Sequence, residues 1–175
     1  LPILMKLVIA ATPKVAIPTI KELTKSHQIT IVTQPDRPAG RGKQLRSSQI
    51  AQTYPNALKP KDESELQKIL QGSDLLITIG YGRILSNTTL QIPKYGGINL
   101  HFSLLPNWRG AAPVQRAIEA GDRISGVTVF QMDAGMDTGP IWHQIEYEIP
   151  TEASSNELFD SLSDLGVEEI GRAHV

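Results

Sequence analysis

The run Asp74-Leu75-Leu76-Ile77-Thr78-Ile79-Gly80 constrains the fold of this chain more than any other stretch. A near-continuous apolar segment of strand length has no polar face to offer water, so it reads as a strand covered on both sides. Sheets covered on both sides are built from parallel strands whose connecting helices pack above and below. The rest of the chain supplies those parts. Short β-branched or apolar runs at Leu7 to Ala10, Ile29 to Thr33, Gly126 to Met132 and Ile141 to Ile149 are interleaved with helix-length stretches. The helical stretches begin at Pro13, with Val15, Ile20 and Leu23 on one face, and continue with Glu63 to Gln71, Ala112 to Ala120 and Ser154 to Leu165. The alternation predicts an α/β fold with a mostly parallel central sheet flanked by helices.

At 175 residues the chain suits one domain with a sizeable core. Its 40% hydrophobic content argues against disorder, and a net charge of -1 gives no global basic field, so a polyanionic partner would have to meet a local patch. The absence of cysteine excludes disulfides, thiol nucleophiles and thiolate metal sites. Lys6 interrupts the apolar opening segment, which is too short to span a bilayer and reads as a first strand. Met5 is the expected native start, with residues 1–4 an extension, and Glu169 to Val175 reads like a translated sequencing adapter. The expected domain is therefore 5–168, the expected tail 169–175, and His174 is set aside.

Chemistry concentrates where strands should end. In Ile98-Asn99-Leu100-His101, side chains two apart on a strand share one face, which places an amide and an imidazole side by side. That pair suits acyl-type transfer; two polar groups at a strand end can equally satisfy loop backbone. Ligands of open parallel sheets bind beyond the carboxyl ends of strands, so Tyr81-Gly82-Arg83-Ile84-Leu85 should share a crevice with Asn99 and His101. The turn-rich segment from Asp133 to Pro140 carries Asp137, which can polarise His101 or cap its own turn. The strand before it is expected to end at the same sheet edge as the Asn99 strand. Residues 34 to 46 read as a loop with two prolines, two glycines and a local charge of +3, from Arg37, Arg41, Lys43 and Arg46 against Asp36. His27 and His143 lack the clustered partners of a metal site, and no glycine-rich phosphate loop follows the first strand.

Taken together, Asn99-Leu100-His101, Ser103-Leu104-Leu105-Pro106, Trp108-Arg109-Gly110-Ala111-Ala112-Pro113-Val114-Gln115 and Asp137-Thr138-Gly139 resemble the signature of the folate-dependent formyltransferases. Within them, the chain is most similar to the members that formylate methionyl initiator tRNA. The resemblance implies the Rossmann-like formyltransferase fold, and a catalytic trio of Asn99, His101 and Asp137 around the formyl group of 10-formyltetrahydrofolate. It implies that folate is held by Arg83, Ile84, Leu85, Ser103, Leu104, Leu105, Pro106, Asp133 and Gly135. It also implies that Arg37, Arg41, Lys43 and Arg46 grip the initiator tRNA, with Arg41 foremost because a guanidinium makes paired hydrogen bonds. A cytoplasmic monomer needing no metal or membrane is expected, and the family's usual C-terminal β-barrel lies beyond this sequence. Other readings are a relative acting on a ribonucleotide amine or amino sugar, a formyl-donor hydrolase, or a noncatalytic folate- or RNA-binding module.

The chain departs from the family pattern at three places. Ala11 stands where glycine is usual and requires a negative φ; Phe102 stands where a small residue is usual and threatens to crowd the folate slot; and Arg46-Ser47-Ser48-Gln49-Ile50 replaces a proline-containing exit from the basic loop. Thr128, in the strand before the Asp137 loop, either orients a substrate or the catalytic loop or is structural, and Trp108 either stacks on substrate or packs beside its loop.

Overall fold

A computed structural model describes residues 4–172. Residues 1–3 and 173–175 lie outside it, and with them most of the expected extension and part of the expected tail, His174 included. In chain order the strands are β1 (Lys6–Ala11), β2 (Gln28–Val32), β3 (Arg37–Ala39), β4 (Gln44–Arg46), β5 (Leu75–Ile79), β6 (Gly97–His101), β7 (Ile124–Gln131) and β8 (Ile141–Glu148). The helices are α1 (Ile17–Thr24), α2 (Gln49–Thr53), α3 (Glu63–Leu70), α4 (Asn87–Leu90), α5 (Pro113–Glu119) and α6 (Ser155–Arg172).

Six strands form one sheet in the order β2-β1-β5-β6-β7-β8, parallel from β2 to β6 and antiparallel at β7 and β8. Strand alternation divides the apolar residues between two cores. Leu7, Ile9, Leu75, Ile77, Ile98 and Leu100 meet Ile20, Ile50, Leu158 and Leu162 of α1, α2 and α6 on one face. Val8, Ala10 and Leu76 meet Leu66, Leu70 and Leu90 of α3 and α4 on the other. Each fully buried Leu or Ile contributes about 1.5–3 kcal/mol over an exposed one, which is why β5, buried at every position, is central. The strand order turns back between β1 and β5, so their carboxyl ends open a crevice.

Four expectations are corrected. The helix expected from Pro13 is a 3-10 turn over Lys14–Ala16 followed by α1, because Pro18 has no N–H and fits only a first helical turn. Residues 34 to 46 are not an irregular loop: β3 and β4 pair antiparallel with Arg37 opposite Arg46 and Ala39 opposite Gln44. Gly40 (φ 72°), Gly42 (φ 104°) and Lys43 (φ 51°) turn the tip. The strand preceding Asp137 does not end at the same edge as β6. β7 pairs Asn99 with Phe130 and His101 with Thr128, so its carboxyl end lies beside the start of β6. Finally, α6 continues past Leu165 to Arg172.

Candidate active site

A cleft of about 670 Å³ lies beyond the carboxyl ends of β1 and β5 and takes in Thr78, Asn99, His101 and Asp137. Because Ile77, Ile98 and Leu100 point into the first core, Thr78, Asn99 and His101 share the opposite face of the sheet. The β5–β6 register sets Thr78 beside Asn99, whose Nδ2 donates to Thr78 Oγ1 at 2.6 Å. One amide hydrogen is thereby committed and the other is left for the cleft.

His101, 8% exposed, places Nε2 3.0 Å from the Trp108 carbonyl. A carbonyl only accepts, so this contact requires the proton on Nε2. Nδ1 then faces Asp137 Oδ2 across 3.7 Å, beyond hydrogen-bond length. Asp137 has φ 54° and accepts from the Gly110 N–H at 2.7 Å through the same Oδ2. It reaches His101 because the segment after β7 folds back from the Gly97 level, where the Met132 N–H donates to the Gly97 carbonyl. Gly139 permits the return: a Cβ there would stand 1.6 Å from the Gln131 carbonyl oxygen.

The residues expected to hold folate divide into two groups. Arg83, Ile84, Leu85, Asp133 and Gly135 line the cleft, with Ile84 63% exposed and Leu85 buried in the second core. Arg83 Nε donates to Gln34 Oε1 and Nη2 to the Lys61 carbonyl; Asp133 Oδ1 is engaged by Gly135 N–H and Thr138 Oγ1. Ser103, Leu104, Leu105 and Pro106, by contrast, are not among the lining residues. Ser103 Oγ donates to the Asn107 carbonyl, Leu104 packs over Gly126, and the Leu105 N–H donates to Thr128 Oγ1, so this segment supports the site from behind. Thr128 Oγ1 also donates to the Ser103 carbonyl, a structural role.

The departures find places too. Ala11 is fully buried strand backbone outside the positive-φ residues. Phe102 turns to the first core and meets Phe159 of α6 edge-on at 6.1 Å, the two rings forming one wall of the cleft. Ser48 fixes the hairpin exit by capping α2 through Ala51 N–H and bonding Thr33 Oγ1. Trp108 does not line the cleft.

Arg37, Arg41, Lys43 and Arg46 are all exposed on the hairpin. Lys59 pairs with Asp36 at 2.6 Å and holds its carboxyl below the usual range, so the segment's own carboxylate is taken by a cation from outside. Buried Gln34 ties the hairpin to the cleft: its Oε1 accepts from Arg37 Nη2 as well as from Arg83 Nε, and its Nε2 donates to the Tyr81 carbonyl. Thr78, Gln115, Phe159 and the backbone contacts of Trp108 and Gly110 were not foreseen. The period-two spacing from Ile77 to Ile79 could have flagged Thr78; backbone contacts leave no mark in residue type.

The family profile described as "Formyl transferase" matches residues 5–173. The methionyl-tRNA formyltransferase of Hydrogenovibrio crunogenus is 43% identical over 174 residues, which cover 93% of this chain and 55% of that protein. The chain thus spans about half the length of the curated relatives it matches. Glycinamide ribonucleotide transformylase 1 from Symbiobacterium toebii shares the fold with a TM-score of 0.77 at 19% identity, over 97% of this chain and 85% of that one. An N-formyltransferase from Helicobacter canadensis, solved in complex with folinic acid and dTDP-3-aminofucose, gives 0.70 at 22% identity over 97% and 64%.

Proposed function

The chain belongs to the formyl transferase family, and from that premise we propose that it transfers a formyl group from 10-formyltetrahydrofolate to the α-amine of methionyl initiator tRNA. The observation that carries the reading is one cleft that gathers Asn99, His101 and Asp137 and is tied through Gln34 to an exposed basic hairpin. Residues 5–168 are the catalytic domain in this reading, acting in the cytoplasm as a monomer without metal. No helix among the described residues is long and apolar enough to cross a membrane.

The cleft suits a flat heterocycle with an aromatic extension. Its volume is that of a small-molecule site, and Leu85, Phe130, Met132 and Met136 give apolar walls. The Tyr81 hydroxyl and Gln115 Oε1 are buried without partners, on two residues of the lining, as a site meant to satisfy a hydrogen-bonding ligand would have them. Arg83, Ile84, Leu85, Asp133 and Gly135 would flank it. When bound, the folate supplies an activated formyl carbonyl.

This chain's residues do the rest. The free Asn99 amide hydrogen donates to the formyl oxygen as negative charge develops there, and the His101 imidazole adds its positive charge once Nδ1 has taken up a proton. Asp137, directly or through His101, accepts the proton of the attacking amine and returns one to the departing nitrogen. Direct attack by the amine needs no covalent enzyme intermediate. Arg37, Arg41, Lys43 and Arg46 would grip the acceptor end of the tRNA.

Formyl transfer to charged initiator tRNA tests the reading. His101→Ala and Asp137→Asn are each expected to lower kcat by about 10²–10⁴-fold. Undiminished transfer by both variants overturns the mechanism. Transfer to a ribonucleotide amine or amino sugar in place of charged tRNA overturns the acceptor.

A further inference from the structure

His101 is held from outside the cleft as well as within it. The carbonyl that accepts from its Nε2 belongs to Trp108, whose φ of 57° is a conformation that residues with side chains rarely adopt. Such a residue persists only where its surroundings over-determine it, and relaxation to negative φ would swing the local peptide planes. The surroundings are specific. Trp108 Nε1 donates to Asp122 Oδ2 at 2.7 Å, and the Arg116 guanidinium lies 5.0 Å from the indole centroid. Asp122 is itself anchored just beyond α5, its N–H donating to the Ala117 carbonyl across the turn made by Gly121 at φ 73°.

We propose that Asp122 is a positioning residue for His101. Through the Trp108 indole it holds the Trp108 carbonyl where that carbonyl fixes the imidazole proton on Nε2 and turns Nδ1 toward Asp137. This role deepens the reading of the cleft as a formyl-transfer site and rests on it. Asp122 touches neither the reacting atoms nor the cleft. Its effect runs along one path, from carboxylate to indole, from indole to backbone carbonyl, and from carbonyl to imidazole. The next residues of the same loop carry a second restraint, since the Gly110 N–H engages Asp137. A loop displaced at Trp108 therefore loosens both groups that must handle the proton.

Three variants separate this role from general support of the fold. Asp122→Asn keeps an oxygen that can accept from the indole. Asp122→Ala removes the acceptor, and Trp108→Phe removes the donor while keeping an aromatic ring beside Arg116. In formyl transfer by the full chain, Asp122→Ala and Trp108→Phe are each expected to lower kcat by about 10- to 100-fold with both KM values unchanged. The double variant should lose no more than either single one, and Asp122→Asn should retain activity. Nitrogen NMR of labelled histidine should show the His101 proton on Nε2 in the wild type and in Asp122→Asn, and a mixture of tautomers in the other two. An unchanged kcat or an unchanged His101 spectrum in Asp122→Ala and Trp108→Phe overturns the proposal, as do losses confined to KM or losses that multiply in the double variant. The spectrum requires no turnover. If the protein formylates a different amine or none, His101 still reports its tautomer, so failure of this proposal is distinguishable from failure of the functional reading.

Discussion

Asn99 can present a single amide hydrogen to a ligand because Thr78 holds the other, and this makes Thr78 a determinant of where the amide points. Thr78 Oγ1 donates to Met132 Sδ at 3.3 Å while accepting from Asn99, so its own hydrogen is directed away and its lone pairs toward the amide. Thr78→Val keeps the shape and removes the acceptor. We expect kcat for formyl transfer to fall about tenfold with little change in KM, since the amide can then rotate off the line to the formyl oxygen. Stability should fall by about 1 kcal/mol, read from urea unfolding, because a part-buried donor loses its partner. A normal kcat would show that Asn99 is oriented by the ligand instead. Phe102 belongs to the same scale. Strand alternation sends it to the face opposite Asn99 and His101, so its bulk forms a cleft wall together with Phe159 without filling the space beside the reacting pair.

Elements are fixed to one another by capping side chains, and α3 and α4 are the clearest pair. Glu63 of α3 accepts from the N–H and Oγ of Ser86, the residue that caps α4, and from Thr89 Oγ1. The Ser86 hydroxyl first, and then Thr89, hold the Glu63 carboxyl below its ordinary value of 4.5. A carboxyl lowered in the folded state takes up its proton earlier in the unfolded chain, so the tie stabilises fully above 4.5 and is lost as pH falls through the folded value. Urea midpoints measured through that acid range should therefore fall more steeply for the wild type than for Glu63→Gln. Parallel curves would remove Glu63 from the acid limb. The same scale shows what a sequence displays. The β5 run was legible because burial on both faces leaves no polar residue in register, and α3 because Asp62 and Glu65 form a cap that pairing does not alter. The direction of β7 was not legible: α5 between β6 and β7 reads as a crossover to a parallel partner, and only the pairing of Asn99 with Phe130 shows otherwise. The hairpin of β3 and β4 escaped because three-residue strands containing Pro38 have no period to detect. Asn99 and His101 were legible as a pair through the strand period, whereas the Trp108 carbonyl that restrains His101 belongs to the backbone and carries no residue-type signal.

For the whole molecule, charge decides how a tRNA could be met. A net charge of -1 gives the chain no long-range attraction for RNA, so attraction must come from a local patch, and the hairpin is the one proposed. There Arg37 stands directly opposite Arg46, an arrangement that costs stability unless an anion lies between or near them. Lys59 already occupies Asp36, and among the described residues none of the four hairpin cations forms an ion pair. A phosphate would relieve the repulsion and release counterions as it binds. Arg41→Ala should then weaken initiator tRNA binding and reduce the slope of log affinity against log salt by about 1, the share of one phosphate contact. Folate affinity should stay at the wild-type value, because Arg41 sits at the exposed tip and the link from hairpin to cleft runs through Arg37 and Gln34. Equal losses of tRNA and folate affinity would show that the tip supports the cleft instead of gripping RNA. A tRNA slope unchanged in Arg41→Ala would move the phosphate contact to Arg37, Lys43 or Arg46.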